Sequence, residues 1–369
     1  MNLRILINGT FDISEMVVSA ELSGDTSKLN RQLNVNAIVT KDGRTPLFRI
    51  SEGSRISLRI DNKLLFVGVV FSHEINSNGN VTLTAYDSNV YLTKSNDSRI
   101  FKNKKASDII SMLAKDFGIK TGKIADTGYV IPYLRMSNKT LFDMVVTALK
   151  LTQKQTGKRF FIGNDGGNLT LKEGAKSDNK YVFKDGANLI SASFKSSIED
   201  TITQVKVIGG AKGKEISVIA KNEKLRQRFG VMQALETMDE KATASQIKQR
   251  ADALMKQKGV IDEQYQVEVL GIPEVDVGTP VYIKNVMTGI YGAFYATSVK
   301  HTYAENHLMS LELSRTYDLP DMEISSDDLK PEVIKAKGGK KKKKKTSKKA
   351  LEAEKKKKEA EKKKEATKK

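Results

Sequence analysis

Residues 56–71 read ISLRIDNKLLFVGVVF, and the fold class turns on them. Ile56, Leu58 and Ile60 alternate with polar residues, the period of a strand with one buried face. Asp61-Asn62 is a turn signal, and Leu64 to Phe71 is a nearly continuous apolar run, the pattern of a strand covered on both faces. Outward from this stretch, Leu3, Ile5 and Ile7 alternate, as do Val81, Leu83 and Ala85, with turn signals at Asp42-Gly43 and Asn78-Gly79-Asn80. Such spacing suits a meander or small closed barrel and predicts an N-terminal β-barrel domain over residues 1–94.

The period changes after Lys94. Ile109, Ile110, Leu113 and Phe117 recur at helical spacing behind a candidate cap, Ser107, and ahead of Gly118. Leu141, Phe142, Val145, Val146 and Leu149 form a second helical stripe, with Asn138 or Thr140 as its cap and Gly157 as its stop. Asn164-Asp165-Gly166-Gly167 then signals a hairpin, giving a small α+β domain over residues 95–193. Strands return at Ile202–Ile208, Glu215–Ala220, Tyr265–Leu270, Val281–Ile283, Ala293–Lys300 and Met309–Leu313. A helix at 243–258, capped by Thr243 and stopped by Gly259, interrupts them. The expectation is a second β-barrel domain over 194–318 carrying a helical insertion. The fold class is therefore a β-rich α+β multidomain chain, two barrel-like domains related by pseudo-symmetry with the α+β domain between them. Residues 319–339 read as a linker.

The 369 residues carry 63 Lys+Arg against 44 Asp+Glu, a formal charge of +19. Of this excess, +12 belongs to Lys340–Lys369, a low-complexity tail of 17 Lys and 5 Glu. With no Cys, the chain has no disulfides, thiolate metal sites or cysteine nucleophiles, and three scattered His argue against a His-based metal site. No run approaches the roughly 18 apolar residues of a membrane span, and the opening lacks the order of a secretory signal, so the expectation is a protein folded in the cytoplasm.

No cofactor, metal or catalytic constellation emerges. Gly209-Gly210-Ala211-Lys212-Gly213-Lys214 resembles a phosphate loop, but Ile208 stands where its first glycine belongs and Glu215 where magnesium's hydroxyl ligand belongs; a hairpin tip fits better. Asn164 to Asn168 lacks the bidentate Glu of a calcium loop. His73, His301 and His307 read as strand-end or turn residues rather than catalysts. The carboxylate pairs Glu199-Asp200, Asp239-Glu240, Asp262-Glu263 and Asp327-Asp328 are sequence neighbours, which on a strand point to opposite faces. Nucleic-acid binding by the body is disfavoured, because its aromatics occupy inward-looking positions; the Lys tail, which has none, could bind polyanions without sequence preference.

Residues 272–283 (IPEVDVGTPVYI), 288–301 (TGIYGAFYATSVKH) and 307–313 (HLMSLEL) look like the closing strands of the baseplate hub proteins of contractile phage tails. Within that family the likeness is to the hubs of PBSX-like defective prophages and of phage-tail-like bacteriocins; residues 197–207 (SIEDTITQVKV) resemble its entry into the second barrel. The resemblance spans roughly residues 1–318, and the Lys-rich extension departs from it. It implies a non-enzymatic homotrimer, assembled in the bacterial cytoplasm, that joins a six-fold tail tube or tube initiator to a three-fold spike, with the tape-measure protein as a further partner. Two similar barrels per subunit give six per trimer, which answers the symmetry mismatch. The competing expectations are a hub-associated peptidoglycan hydrolase and a general polyanion binder acting through the tail, whose simplest role is a solubilising extension.

Overall fold

A computed structural model describes residues 1–39, 50–174, 181–211, 213–320, 322 and 328–331. The chain divides into two units, Met1–Leu329 and Lys330–Lys369, and the fold below is that of the first. The Asp42-Gly43 turn signal, Lys212, Asp327, most of the expected linker and the tail 340–369 lie outside the described residues.

The first module is built of β1 (Leu3–Ile7), β2 (Phe11–Asp12), β3 (Val17–Asp25), β4 (Arg31–Ile38), β5 (Arg55–Ile60), β6 (Lys63–Ile75) and β7 (Asn80–Tyr86). Its alternating positions Ile5, Ile7, Ile56, Leu58, Ile60, Val81, Leu83 and Ala85 share one core with Leu33, Val35 and Phe66. Asp61 and Asn62 both take positive φ, 46° and 67°, which matches a two-residue hairpin turn to the strands' twist. The apolar run of β6 has two faces with different neighbours. Phe66 and Val70 enter the core, while the facing Val67 is met by a hairpin of the next module, whose Gly167 would place a Cβ 3.2 Å from it.

That module holds α1 (Val90–Lys94), β8 (Asn96–Lys105), α2 (Ala106–Asp116), β9 (Thr121–Ile124), β10 (Val130–Thr140), α3 (Leu141–Thr156), β11 (Phe160–Asp165) and β12 (Asn168–Glu173). Both helices bury their predicted stripes in a core with Leu134, Met136 and Leu171. Thr140, rather than Asn138, caps α3: its hydroxyl accepts from Asp143 N–H at 3.0 Å while the Asp143 carboxylate accepts from Thr140 N–H at 3.2 Å. Gly157 ends it in the left-handed region at φ 71°. Ser107 does not cap α2. The Asp108 carboxylate takes the Lys105 N–H at 3.1 Å, and Ser107 is buried inside the first turn, 3.3 Å from the Thr127 hydroxyl.

The last module begins with β13 (Tyr181–Lys184) and β14 (Leu189–Ser197), earlier than the boundary at 194 expected from sequence. Next come β15 (Gln204–Gly209), β16 (Ile216–Lys221), α4 (Glu223–Phe229), β17 (Gln233–Thr237) and α5 (Ala244–Lys258), and it closes with β18 (Asp262–Leu270), β19 (Pro280–Lys284), β20 (Tyr291–Tyr303) and β21 (His307–Ser314). The insertion is more than a helix. Strands β15 to β17 form their own sheet, and α5 covers it with Ile247, Ala251 and Leu254 against Val205 and Val207, a core apart from the one beneath β18 to β21. Alternation along β15 and β16 shows a buried face but not which sheet the strands join, so they read as barrel strands.

The two β modules repeat one topology. Take β1, β3, β4, β5, β6, β7 and, in the other module, β13, β14, β18, β19, β20, β21 as first to sixth strands. Hydrogen-bonded neighbours then run second, third, sixth, fifth, fourth, first in both. The second strand carries a bulge at its second residue in each, Val18 and Ile190, and the fifth strand carries one at Phe71 and Thr297. Before each fourth strand a glycine, Gly53 at φ 86° or Gly278 at φ 85°, donates its N–H to Val70 O or Ala296 O, both at 2.8 Å. The first strands differ, β1 being antiparallel to β5 and β13 parallel to β19. Among the described residues neither module closes into a barrel. Strand β3, the open end of the first, pairs with β20 of the second, which fuses both into one 13-stranded sheet.

Candidate functional site

Three cores meet around Arg31, at the start of β4. Its Nε lies 3.5 Å from Asp87 Oδ2, its Nη2 donates to Asn164 O at 3.0 Å, and its Nη1 lies 3.8 Å from Asp276 Oδ2. One guanidinium therefore touches the first module, the β11–β12 hairpin and the loop before β19. The Asp87 side chain is fully buried. Burial pushes its carboxyl up to about 6, against the opposing pull of Arg31 and of the Asn89 N–H. Asn89 donates to Leu29 O at 3.0 Å and to Gly163 O at 3.2 Å, and the Asn164 amide donates to Ser88 Oγ at 3.1 Å. A cavity of about 290 Å³ opens here, lined among others by Arg31, Asp87, Asn164, Asp276, Tyr295 and Tyr317. Its one buried carboxylate is bound to Arg31, so the chemistry on offer is that of a latch between modules.

A second cluster lies at the β3–β20 seam. The β20–β21 hairpin brings His301 and His307 together, Nδ1 to Nε2 at 3.0 Å, and His301 Nε2 is 2.8 Å from Val275 O. The carbonyl can only accept, so His301 Nε2 carries the proton and Nδ1 receives the one from His307. Burial lowers both pKa values, that of His307 to about 4 with His301 adding to the effect. Tyr303 stacks on His307 at 4.3 Å between centroids. These rings fill the seam, where His301 opposes Leu22 and Tyr303 opposes Ala20. His73 lies elsewhere, on β6, 3.3 Å from Glu52.

The other sequence candidates stay apart. Gly209, Gly210, Ala211, Gly213 and Lys214 lie at the β15–β16 hairpin tip, and Asn164 to Asn168 is the β11–β12 turn that docks on Ser88 and Val67. Glu199, Asp200, Asp239 and Glu240 are exposed, while Asp262 accepts from Gln264 at 2.8 Å and Glu263 from Tyr265 at 2.6 Å. Among the described residues no group of three His, Asp or Glu could hold a metal, and no helix is long and apolar enough to cross a membrane.

What the sheet does offer is open edge. Strand β14 pairs only with β18 among the described strands, and beyond Val70 strand β6 pairs only with β7. The open segment of β14 exposes Ile190 at 51% and Phe194 at 40%, and that of β6 exposes Ile75 at 56%.

The model of the YQBQ-like family matches residues 20–314. The chain belongs to the YQBQ-like family. It is 32% identical over 306 residues to the phage-like element PBSX protein XkdQ of Bacillus subtilis strain 168, covering 82% of this chain and 94% of that one. The uncharacterized protein YqbQ of the same strain is 32% identical over 306 residues, covering 82% and 93%. The resemblance to PBSX-like prophage proteins is thereby shown. In fold, this family member is similar to the 43 kDa tail protein of prophage MuSo2 from Shewanella oneidensis, with TM-score 0.63 at 15% identity over 85% of this chain and 98% of that one.

Proposed function

We propose that the chain is a structural component of a phage-tail baseplate and, within it, the hub: a homotrimer that joins the six-fold tail tube to the three-fold spike. One observation carries this reading, the repeat of a single strand order with matching bulges in two modules fused edge to edge. Three chains then present six alike modules, a rim that a tube or tube-initiator ring can continue, while the threefold remainder is free to meet a spike. Kinship with a PBSX protein and fold likeness to a prophage tail protein support the phage-tail part. The role is non-enzymatic, because the buried acid at the junction is tied to Arg31 and the paired histidines are tied to Val275 and to each other. Assembly takes place in the bacterial cytoplasm, and the tape-measure protein is a further partner within the tube.

Sedimentation of the full chain, alone and with a spike protein, tests the trimer, and negative-stain averages test for a ring of six lobes. A monomer or an even-numbered oligomer under every condition refutes the hub. A cleared zone in peptidoglycan zymography, abolished by one Asp or Glu substitution, refutes the non-enzymatic role.

A further inference from the structure

Inside one chain, a second strand meets a fifth strand: β3 pairs with β20, Asp25 opposite Ser298 through Ala20 opposite Tyr303. The repeat supplies the same two parts again, unjoined. Among the described residues, β14 is the second strand of its module with an open outer edge, and β6 is the fifth strand of its module with an open edge beyond Val70. We propose that β14 of one copy pairs antiparallel with the end of β6 in the next copy, in the register that β3 and β20 use within the chain. This inference rests on the trimer reading and names its interface.

The bulges fix the register. Aligning Val18 with Ile190 carries Ser23 to Lys195 and Leu22 to Phe194; aligning Thr297 with Phe71 carries Lys300 to Glu74 and His301 to Ile75. Since Ser23 opposes Lys300 and Leu22 opposes His301, Lys195 falls opposite Glu74 and Phe194 opposite Ile75 between copies. Nothing in the alignment used charge or polarity, yet it sets a cation against an anion. It also sets two exposed apolar side chains, Phe194 and Ile75, against each other.

The faces agree as well. Phe194 opposes Tyr265 on β18 and stacks on it at 5.0 Å, so it stands on the face that carries the core of its module. Ile75 opposes Val81, a core residue of the first module. Pairing therefore carries the apolar layer across the copy boundary, as Leu22 and Tyr303 carry it across the seam, and hides two open edges that otherwise invite aggregation. On the opposite face Lys300 Nζ lies 3.8 Å from Glu21 at the internal seam, and the Lys195–Glu74 pair takes that place between copies. A strand on the next copy is a head-to-tail partner, which forms a ring where the rotation closes.

The test uses cysteines, because the natural chain has none. Thr26 N–H bonds to Thr297 O at 3.0 Å, and since pair types alternate along the ladder, Ser23 and Lys300, three positions on, are a non-hydrogen-bonded pair. Their counterparts Lys195 and Glu74 are then the closest-spaced kind of cross-strand pair, suited to a disulfide. Full-length Glu74→Cys/Lys195→Cys, mildly oxidised, is expected to give covalent dimer and trimer and to stop at trimer. The slipped pair Glu74→Cys/Phe194→Cys, with its two side chains on opposite faces, should stay uncross-linked. Glu74→Lys alone should weaken association by about threefold per interface and Glu74→Lys/Lys195→Glu should restore it. Trimers in sedimentation with no Glu74–Lys195 cross-link overturn this pairing and leave the hub standing. Cross-linked chains longer than trimer uphold the pairing and overturn the hub. Neither trimer nor cross-link overturns both.

Discussion

Replacing Arg31 with alanine probes the latch most directly. The Asp87 side chain is fully buried, and its carboxyl titrates at about 6 with the guanidinium 3.5 Å away. Its folded value lies above the ordinary 3.8, so the stability contributed by the protonated form is complete below about 4 and is lost as pH rises through 6. Without Arg31 the folded value climbs further and the loss continues to higher pH. At pH 8, two units above the present value, that extra loss amounts to as much as ~2.7 kcal/mol at 1.36 kcal/mol per unit. Stranding a buried charge costs about 3–5 kcal/mol in total, which sets the scale at pH 8. At pH 5 most copies of Asp87 are already protonated, so the cost of Arg31→Ala should be smaller there by ~2–3 kcal/mol. Urea melts followed by tyrosine fluorescence and far-UV circular dichroism suit a chain without Trp. Equal cost at pH 5 and pH 8, or less than about 1 kcal/mol at pH 8, would show that Arg31 does not hold Asp87 ionised. Arg31→Met/Asp87→Asn, which removes both charges, should cost less than Arg31→Ala at pH 8.

Three further outcomes follow from local geometry. His307, half-buried and lowered to about 4 from 6.5, stabilises the fold above pH 6.5 and loses that contribution as pH falls toward 4. His307→Gln should remove about 1–2 kcal/mol of that pH dependence, discounted for partial exposure, in urea melts at pH 4.5 and 7. Gly68→Ala would set a Cβ 2.4 Å from Tyr86 O and 2.5 Å from the Phe66 ring, so a loss of about 1–3 kcal/mol is expected in thermal melts. Removing residues 340–369 takes away a net +12 and should abolish salt-sensitive retention on heparin while leaving the circular dichroism of the body intact.

The local elements were legible because their signals are local. The alternation of Ile56, Leu58 and Ile60, the Thr140 cap and the Gly157 stop each settle a backbone choice within a few residues. The even apolar run from Leu64 to Phe71 also told the truth about two covered faces, although not that a hairpin from another module covers one of them. Partners distant in sequence left no such mark. Arg31 and Asp87 are 56 residues apart, and only an acid directly after the alternating run ending at Tyr86 hinted at a buried charge. His301 and His307 read as flanks of a turn, but whether their rings meet depends on hairpin register, which pairs Tyr303 with His307. The repeated strand order is a property of pairing, so it becomes visible only when the sheet is laid out.

The excursion from β15 to α5 leaves the host sheet at Ser197 and returns at Asp262, two residues directly opposite each other on neighbouring strands. Its exit and entry thus lie about one strand spacing, ~4.8 Å, apart, and a tight hairpin turn can bridge the same gap. With a core of its own, the excursion behaves as an interchangeable cassette. A foreign domain whose termini lie side by side can be grafted there without re-engineering the 13-stranded host sheet.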